Sequence, residues 1–292
     1  MAVTRRARNP YEPRWKPRGL CTEAQWRSQE ALRRQRRKEI ANRRLVEAQR
    51  EIERLRDRGA LFAISHSGGK DSQVMAIKIH ALVPDEQIIW IHCPLKGVEW
   101  AGGVEQVRRY KPRNVPLIFA DAIDEMEAQK WLLDWVIRRG MWPSKTRRWC
   151  TSDFKRGPIR REIRRYADKH GYHIIVDAQG LRAEESTDRA SRAAFEPLAS
   201  EHGNVSRALG KKREWYSWSP IKWDSTKEIF TAIHEADQIP MWTYLEGMTR
   251  SSCAFCIMGS MGDLRRAAQL APKLYAAYVA VEKYIGHTIN TR

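Results

Sequence analysis

The sequence predicts a doubly wound α/β protein with a mostly parallel sheet, and three observations predict it. From Ala60 onward, short apolar runs alternate with amphipathic helical stretches, the pattern of strands joined by crossover helices. The first run leads straight into a glycine-rich turn that opens a helix. The chain of 292 residues is also 42% hydrophobic, enough for one large core with extensions.

Taken in order, Leu61-Phe62-Ala63-Ile64 is the first predicted strand, residues 73–82 a helix, residues 87–92 a second strand and residues 116–120 a third. A helix over about 125–138, a basic helix over about 158–169 and a strand at 173–176 continue the alternation. Residues 200–213 read as a surface loop and residues 264–286 as closing helical sequence. Ligands of open parallel sheets sit beyond the carboxyl ends of the strands, so the loops after Ile64, His92, Ala120 and Val176 are expected to converge on one site.

Ahead of this domain the chain is basic. The formal net charge is +18, and residues 1–58 carry 18 Lys and Arg against 8 Asp and Glu. Three prolines within residues 1–20 argue for an extended arm. Thr22 and Gln25 then have capping-box spacing at the head of a basic helix that Gly59 stops. The predicted organisation is an arm over 1–20, a basic helix over 21–59, the α/β domain over 60–262 and a C-terminal helical segment over 263–292. Such charge either serves a nucleic-acid partner, through counterion release, or forms a solvated face. No run approaches the roughly 20 apolar residues of a membrane span, and the arginines of the N-terminus precede no apolar signal core, so a soluble cytoplasmic protein is expected.

The turn after the first strand reads Ser65-His66-Ser67-Gly68-Gly69-Lys70-Asp71-Ser72. Its glycines permit main-chain amides to face inward, and the helix N-terminus behind them adds partial positive charge, which makes an anion cradle. Ser65, Ser67 and Ser72 supply hydroxyls, Lys70 can neutralise an oxygen, and Asp71 can orient the loop or help hold Mg2+. A Walker A loop is excluded, since that requires four residues between its first glycine and the Gly-Lys pair.

Five cysteines, Cys21, Cys93, Cys150, Cys253 and Cys256, are an odd set and argue against a disulfide framework. Cys253-x-x-Cys256 can place two thiols on one metal or cluster, with Cys150 as a third ligand, or all can be buried thiols. Cys93 ends the second strand, where it is either a fourth ligand, a sulfur-carrying nucleophile or a packed core thiol; alternation points its neighbour His92 the other way, so one of the two is expected to be buried.

Ser67-Gly68-Gly69-Lys70-Asp71-Ser72 resembles the SGGxDS signature of the PP-loop ATP pyrophosphatase and phosphoadenylylsulfate (PAPS) reductase superfamily. The resemblance runs from about residue 60 to 258 through Arg148-Trp149-Cys150-Thr151 with Lys155 and Pro158, Gly180-x-Arg182-x-x-Glu185-Ser186-x-x-Arg189, and Gly247-x-x-Arg250-x-x-Cys253-x-x-Cys256. It implies that Gly180, Arg182, Glu185, Ser186 and Arg189 flank an ATP or PAPS site, the arginines contacting oxyanions; the competing reading makes them a local ion-pair ladder. It further implies a 4Fe-4S cluster, with zinc as the alternative, and catalytic roles for Lys70, Asp71 and Cys93. Sulfonucleotide reductases of the superfamily carry a cysteine near the C-terminus, and no cysteine follows Cys256 here. The expected activity is therefore ATP-dependent adenylation followed by sulfur transfer, from a donor protein or thiol, to a nucleic-acid or small acceptor. The alternatives are PAPS reduction to sulfite and a non-catalytic nucleotide sensor that binds DNA.

Overall fold

The computed structural model describes residues 23–289. By internal contacts the chain divides into residues 1–47 and 48–292. The described part of the first unit is helical, the beginning of α1 (Glu23–Asp57), and Leu32, Ile40 and Val46 lie exposed along it. The predicted arm over 1–20 lies outside the described residues.

In the second unit, the last turns of α1 contribute Ile52 and Leu55, both fully buried. There follow β1 (Leu61–Ser65), α2 (Lys70–His80), β2 (Ile88–His92), α3 (Gly103–Tyr110), β3 (Leu117–Phe119) and α4 (Leu132–Arg139). A short α5 (Trp149–Thr151) runs through a wider π-type turn, Ser152–Arg156, into α6 (Gly157–His170) and then β4 (Ile174–Ala178). The remainder is α7 (Thr187–Ser191), β5 (Phe195–Pro197), β6 (Val205–Ser206), β7 (Lys211–Lys212), β8 (Glu214–Trp218), α8 (Thr226–Glu235), α9 (Trp242–Leu245), α10 (Met261–Leu270) and α11 (Pro272–Ile285).

Six strands form one sheet in the order β3-β2-β1-β4-β8-β5. All pairs are parallel except β5 with β8, which is antiparallel. The fold class is thus the predicted one. The strand order leaves β1 in one direction toward β2 and β3 and in the other toward β4 and β8, so the topological switch lies between β1 and β4. Strand alternation explains why this sheet is buried on both faces. Phe62, Ile64, Trp90, Val176 and Trp218 face one cluster with Ile52, Leu55 and the apolar side of α2. Leu61, Ala63, Ile89, Ile91, Ile175 and Trp215 face the other, against Ile163 and Ala167 of α6. Each large side chain buried in this way contributes about 1.5–3 kcal/mol.

Several boundaries differ from the sequence reading, for identifiable reasons. The helix expected over 125–138 begins only at Leu132, because the Asp124 carboxylate accepts the Met126 and Ala128 N–H groups at 2.9 Å each and holds a turn with Glu127 in the left-handed region. The expected loop over 200–213 contains the small β6–β7 hairpin. β8 escaped detection although it pairs with β4 along five residues. His92 and Cys93 are both buried, since β2 is an interior strand covered on both faces. Among the described residues no helix is long and apolar enough to cross a membrane.

Candidate nucleotide site at the switch point

The glycine-rich turn sits where the topology requires it, between the end of β1 and the first turn of α2. Gly68 has φ +81°, and a Cβ there would stand 3.1 Å from the Gly103 carbonyl oxygen, so both backbone conformation and space demand glycine. Its N–H donates to His66 Nδ1 at 3.1 Å. That imidazole stacks on Trp90 with centroids 4.5 Å apart. Burial, helped by the field of His92, pushes the His66 pKa down to about 3, so Nδ1 remains an acceptor. Ser72 Oγ donates to the Gly69 carbonyl at 2.8 Å and accepts the Ser67 N–H at 3.2 Å, closing the loop on itself.

The charged residues of the loop are held from outside. Asp71 receives Lys70 Nζ at 3.0 Å and Arg182 Nε at 2.6 Å. Each carboxylate oxygen of Asp71 thus faces a cation, an arrangement that ties Lys70 and Arg182 to the loop. Arg182, 3% exposed, also bonds Glu184 and reaches Thr226 Oγ1 at 3.2 Å. Its Nε and Nη1 are held by protein acceptors, the contacts of a clamp on Asp71, while the residue also lines the cavity where an oxyanion contact is expected.

The remaining members of that motif build a frame. Gly180 is required by α2: a Cβ would meet backbone atoms of Asp71 and Ser72 at 3.1–3.2 Å. Glu185 accepts the Arg182 N–H at 3.2 Å and pairs with Arg189, while Ser186 caps α7 by accepting the Arg189 N–H. The ion-pair ladder is therefore present. Yet Gly180, Arg182, Glu185 and Arg189 line a cavity of about 570 Å³ together with Ser65, Ser67, Gly69, Lys70, Asp71 and Ser72.

Apart from Arg250, the far wall of this cavity comes from residues the sequence did not single out. Tyr244 accepts the Lys70 and Ser251 N–H groups at 3.2 Å each, and Lys70 Nζ lies 5.1 Å from its ring centroid. Burial pushes the Tyr244 phenol up to about 12, so it stays protonated. Thr249, Arg250, Ser251 and Ser252 complete the wall and lead directly into Cys253. Of the strand-end loops, those after β1 and β4 form the cavity, and the one after β2 reaches the thiol segment through a Glu99–Cys253 bridge and an Ala254 N–H to Val98 oxygen bond of 2.9 Å. The loop after β3 lines neither this cavity nor its neighbour.

Cys150, Cys253 and Cys256 share one electrostatic neighbourhood. Burial raises the Cys150 thiol and pushes Cys253 up to about 12, and each is raised further by Cys256. The half-buried Lys155 ammonium is in turn raised by Cys253, with smaller effects from Glu99, Cys256 and Cys93. Among the described residues no three His, Cys, Asp or Glu side chains converge closely enough to hold one metal ion. The soft donor chemistry of three thiols suits an iron–sulfur cluster or zinc alike. Cys93 Sγ donates to the Phe154 carbonyl at 2.7 Å, and burial pushes its pKa up to about 12, surroundings that suit a packed core thiol better than a nucleophile.

Asp177, at the end of β4, is a further unforeseen group. It is 2% exposed, meets Ser65 Oγ at 3.4 Å, and burial raises its pKa from 3.8 to about 6. The folded state then binds more protons than the unfolded state between these values, so this contribution to stability is full below about pH 4 and lost as pH rises through 6. His66, depressed to about 3, has the opposite sign: its contribution is present above pH 6.5 and lost as pH falls through 3. Replacing Asp177 with Asn is expected to improve stability relative to wild type by roughly 2–3 kcal/mol between pH 4 and pH 7, read as diverging thermal-melt profiles. A difference between the two proteins that is constant across that range would contradict the buried-carboxylate assignment.

A glycine-rich turn of this kind at the switch point of a mainly parallel sheet is an arrangement suited to holding an anionic ligand. No family model matches the chain. An uncharacterized protein of Methanocaldococcus jannaschii is 27% identical over 225 residues, covering 76% of this chain and 48% of its own, so the chain spans about half the length of that relative. Among solved structures the chain is similar to the PAPS reductase of Candida auris in a phosphate complex, with TM-score 0.39, 14% identity, and 66% of this chain and 80% of that one covered. It is also similar to the U34-tRNA thiolase NcsA of Methanococcus maripaludis with its 4Fe-4S cluster, with TM-score 0.33, 12% identity and coverage of 78% and 72%.

Proposed function

We propose that this protein binds Mg–ATP at residues 65–72, adenylates an acceptor oxygen with release of pyrophosphate, and completes a sulfur transfer in which a sulfur nucleophile displaces AMP. The observation that carries this reading is the shared wall of the cavity. Ser67–Ser72 lie on one side, and Met248–Ser252, which run directly into Cys253-x-x-Cys256, lie on the other. A nucleotide seated on the loop would be adjacent to the thiol segment.

The loop amides and the α2 N-terminus would stabilise the charge developing on the leaving pyrophosphate, the kind of electrostatic term that dominates phosphate chemistry. Lys70, fixed by Asp71 and by the Tyr244 ring, would supply a positioned positive charge without a reorganisation cost. Cys150, Cys253 and Cys256 would hold a 4Fe-4S cluster, which supplies a thiophilic iron when bound. Arg250, 3.8 Å from Glu185, lines the cavity three residues ahead of Cys253 and would face the nucleotide phosphates.

The test incubates anaerobically purified full-length protein with Mg–ATP, a sulfide donor and candidate acceptors, and follows pyrophosphate and AMP. Acceptor-dependent release of both supports the proposal. Sulfite formation from PAPS with a dithiol reductant and no acceptor would replace it with the reductase reaction.

A further inference from the structure

A second cavity, of about 760 Å³, adjoins the nucleotide cavity and shares with it Ser65, Lys155, Gly180, Leu181 and Arg189. Eight cationic side chains line it against only two carboxylates, Asp177 and Asp188. Some of these cations are already paired, Arg139 with Asp153 and Arg192 with Asp188. Arg147, Arg148 and Arg156 have no carboxylate within 4 Å among the described residues, and the buried Nε of Arg160 has no hydrogen-bond partner there. Cations crowd the shared wall: desolvation first, then the fields of Arg250 and Arg148, lower the Arg189 pKa. Like charges gathered in a concavity with too few counter-charges make a strong positive potential, and an unpaired buried guanidinium nitrogen is costly until an acceptor arrives.

We propose that this cavity seats the phosphodiester backbone of an unpaired nucleic-acid strand, placing one nucleotide of the acceptor beside the bound ATP. The assignment rests on the adenylation reading above and moves acceptor binding from the basic N-terminal helix to the body of the enzyme. Three features favour a strand over a lone phosphate. The cations outnumber what one phosphate can neutralise. A smaller concavity on the far side of Arg156, Arg160, Arg189 and Arg192 adds Lys222 to the basic track, with Glu196 as its one carboxylate. A pocket of this size accepts a single extruded or unpaired nucleotide and excludes the stacked interior of a duplex.

Binding of a labelled 12-nucleotide single strand to the full chain, measured by fluorescence anisotropy over a range of KCl concentrations, tests the assignment. The Arg148→Gln/Arg156→Gln variant removes two cations that do not line the nucleotide cavity. It is expected to bind the strand at least tenfold more weakly at 0.1 M salt and to lower the slope of log K against log salt by about 1.4. Its calorimetric ATP affinity and thermal midpoint should match wild type. Unchanged strand affinity in this variant overturns the proposal, as does an equal loss from Arg33→Gln/Arg36→Gln in the N-terminal helix, which would signal long-range charge alone. Displacement of the strand by micromolar adenosine 3′,5′-bisphosphate would give the seat to a mononucleotide and also overturn it. ATP binding is read separately in the same proteins, so failure of the nucleotide site is distinguishable from failure of the strand site.

Discussion

Replacing Gly68 with alanine is expected to weaken Mg–ATP binding roughly tenfold to one-hundredfold while leaving the protein folded. Two costs add at this position. A residue with a Cβ held at φ +81° pays about 1–2 kcal/mol for the left-handed conformation. The new methyl also stands 3.1 Å from the Gly103 carbonyl oxygen, a backbone atom at the start of α3 that yields only if the helix moves. The chain can relieve both by rotating the Gly68 peptide, which breaks the bond to His66 Nδ1 and turns amides away from the cradle. Every 1.4 kcal/mol lost from binding is a factor of ten in affinity. Isothermal calorimetry with Mg–ATP reads the loss, and circular dichroism shows whether the fold survives. A variant that binds ATP like wild type would mean that the loop amides do not grip the nucleotide.

The glycine-rich turn was legible in the sequence because each of its requirements is local. A strand, two glycines and a helix start lie in one stretch of ten residues, and hydrophobic period alone places them. The sheet was legible for the same reason as far as β4. β8 was not, because Trp215, Tyr216 and Trp218 break strict alternation, carry polar atoms and follow a lysine-rich hairpin. The opposite wall of the site was illegible for a different reason. Tyr244 lies 174 residues from the Lys70 amide it accepts, and nothing near it in the chain marks it as a partner. Asp177 did leave a signal, a carboxylate inside the apolar run Ile174-Ile175-Val176-Asp177-Ala178. In a strand buried on both faces such a group needs a reason, and Ser65 together with the basic cavity supplies one. Motif spacing places Gly180 and Arg182 at the site, but only packing distinguishes a contact with the ligand from a contact with the loop.

That distinction has an energetic consequence at Arg182. If the guanidinium is a clamp, Arg182→Met is expected to destabilise the protein even without nucleotide, by about 3 kcal/mol, the low end for breaking a buried pair, since Asp71 keeps Lys70 and some solvent. At this chain size the thermal midpoint should fall by roughly 6–12 °C. A residue that served only as an oxyanion contact would instead be neutral or stabilising to remove, because its charge would no longer be held near Lys70 and Arg189 without an anion. The Asp71→Ala/Arg182→Met double variant separates the two cases. In the clamp case the second substitution costs much less on the background of the first, since the carboxylate left uncompensated by losing Arg182 is gone, and the coupling should exceed about 1 kcal/mol. Additive losses would show that Arg182 and Asp71 act independently, and that the 2.6 Å contact between them does not hold the loop.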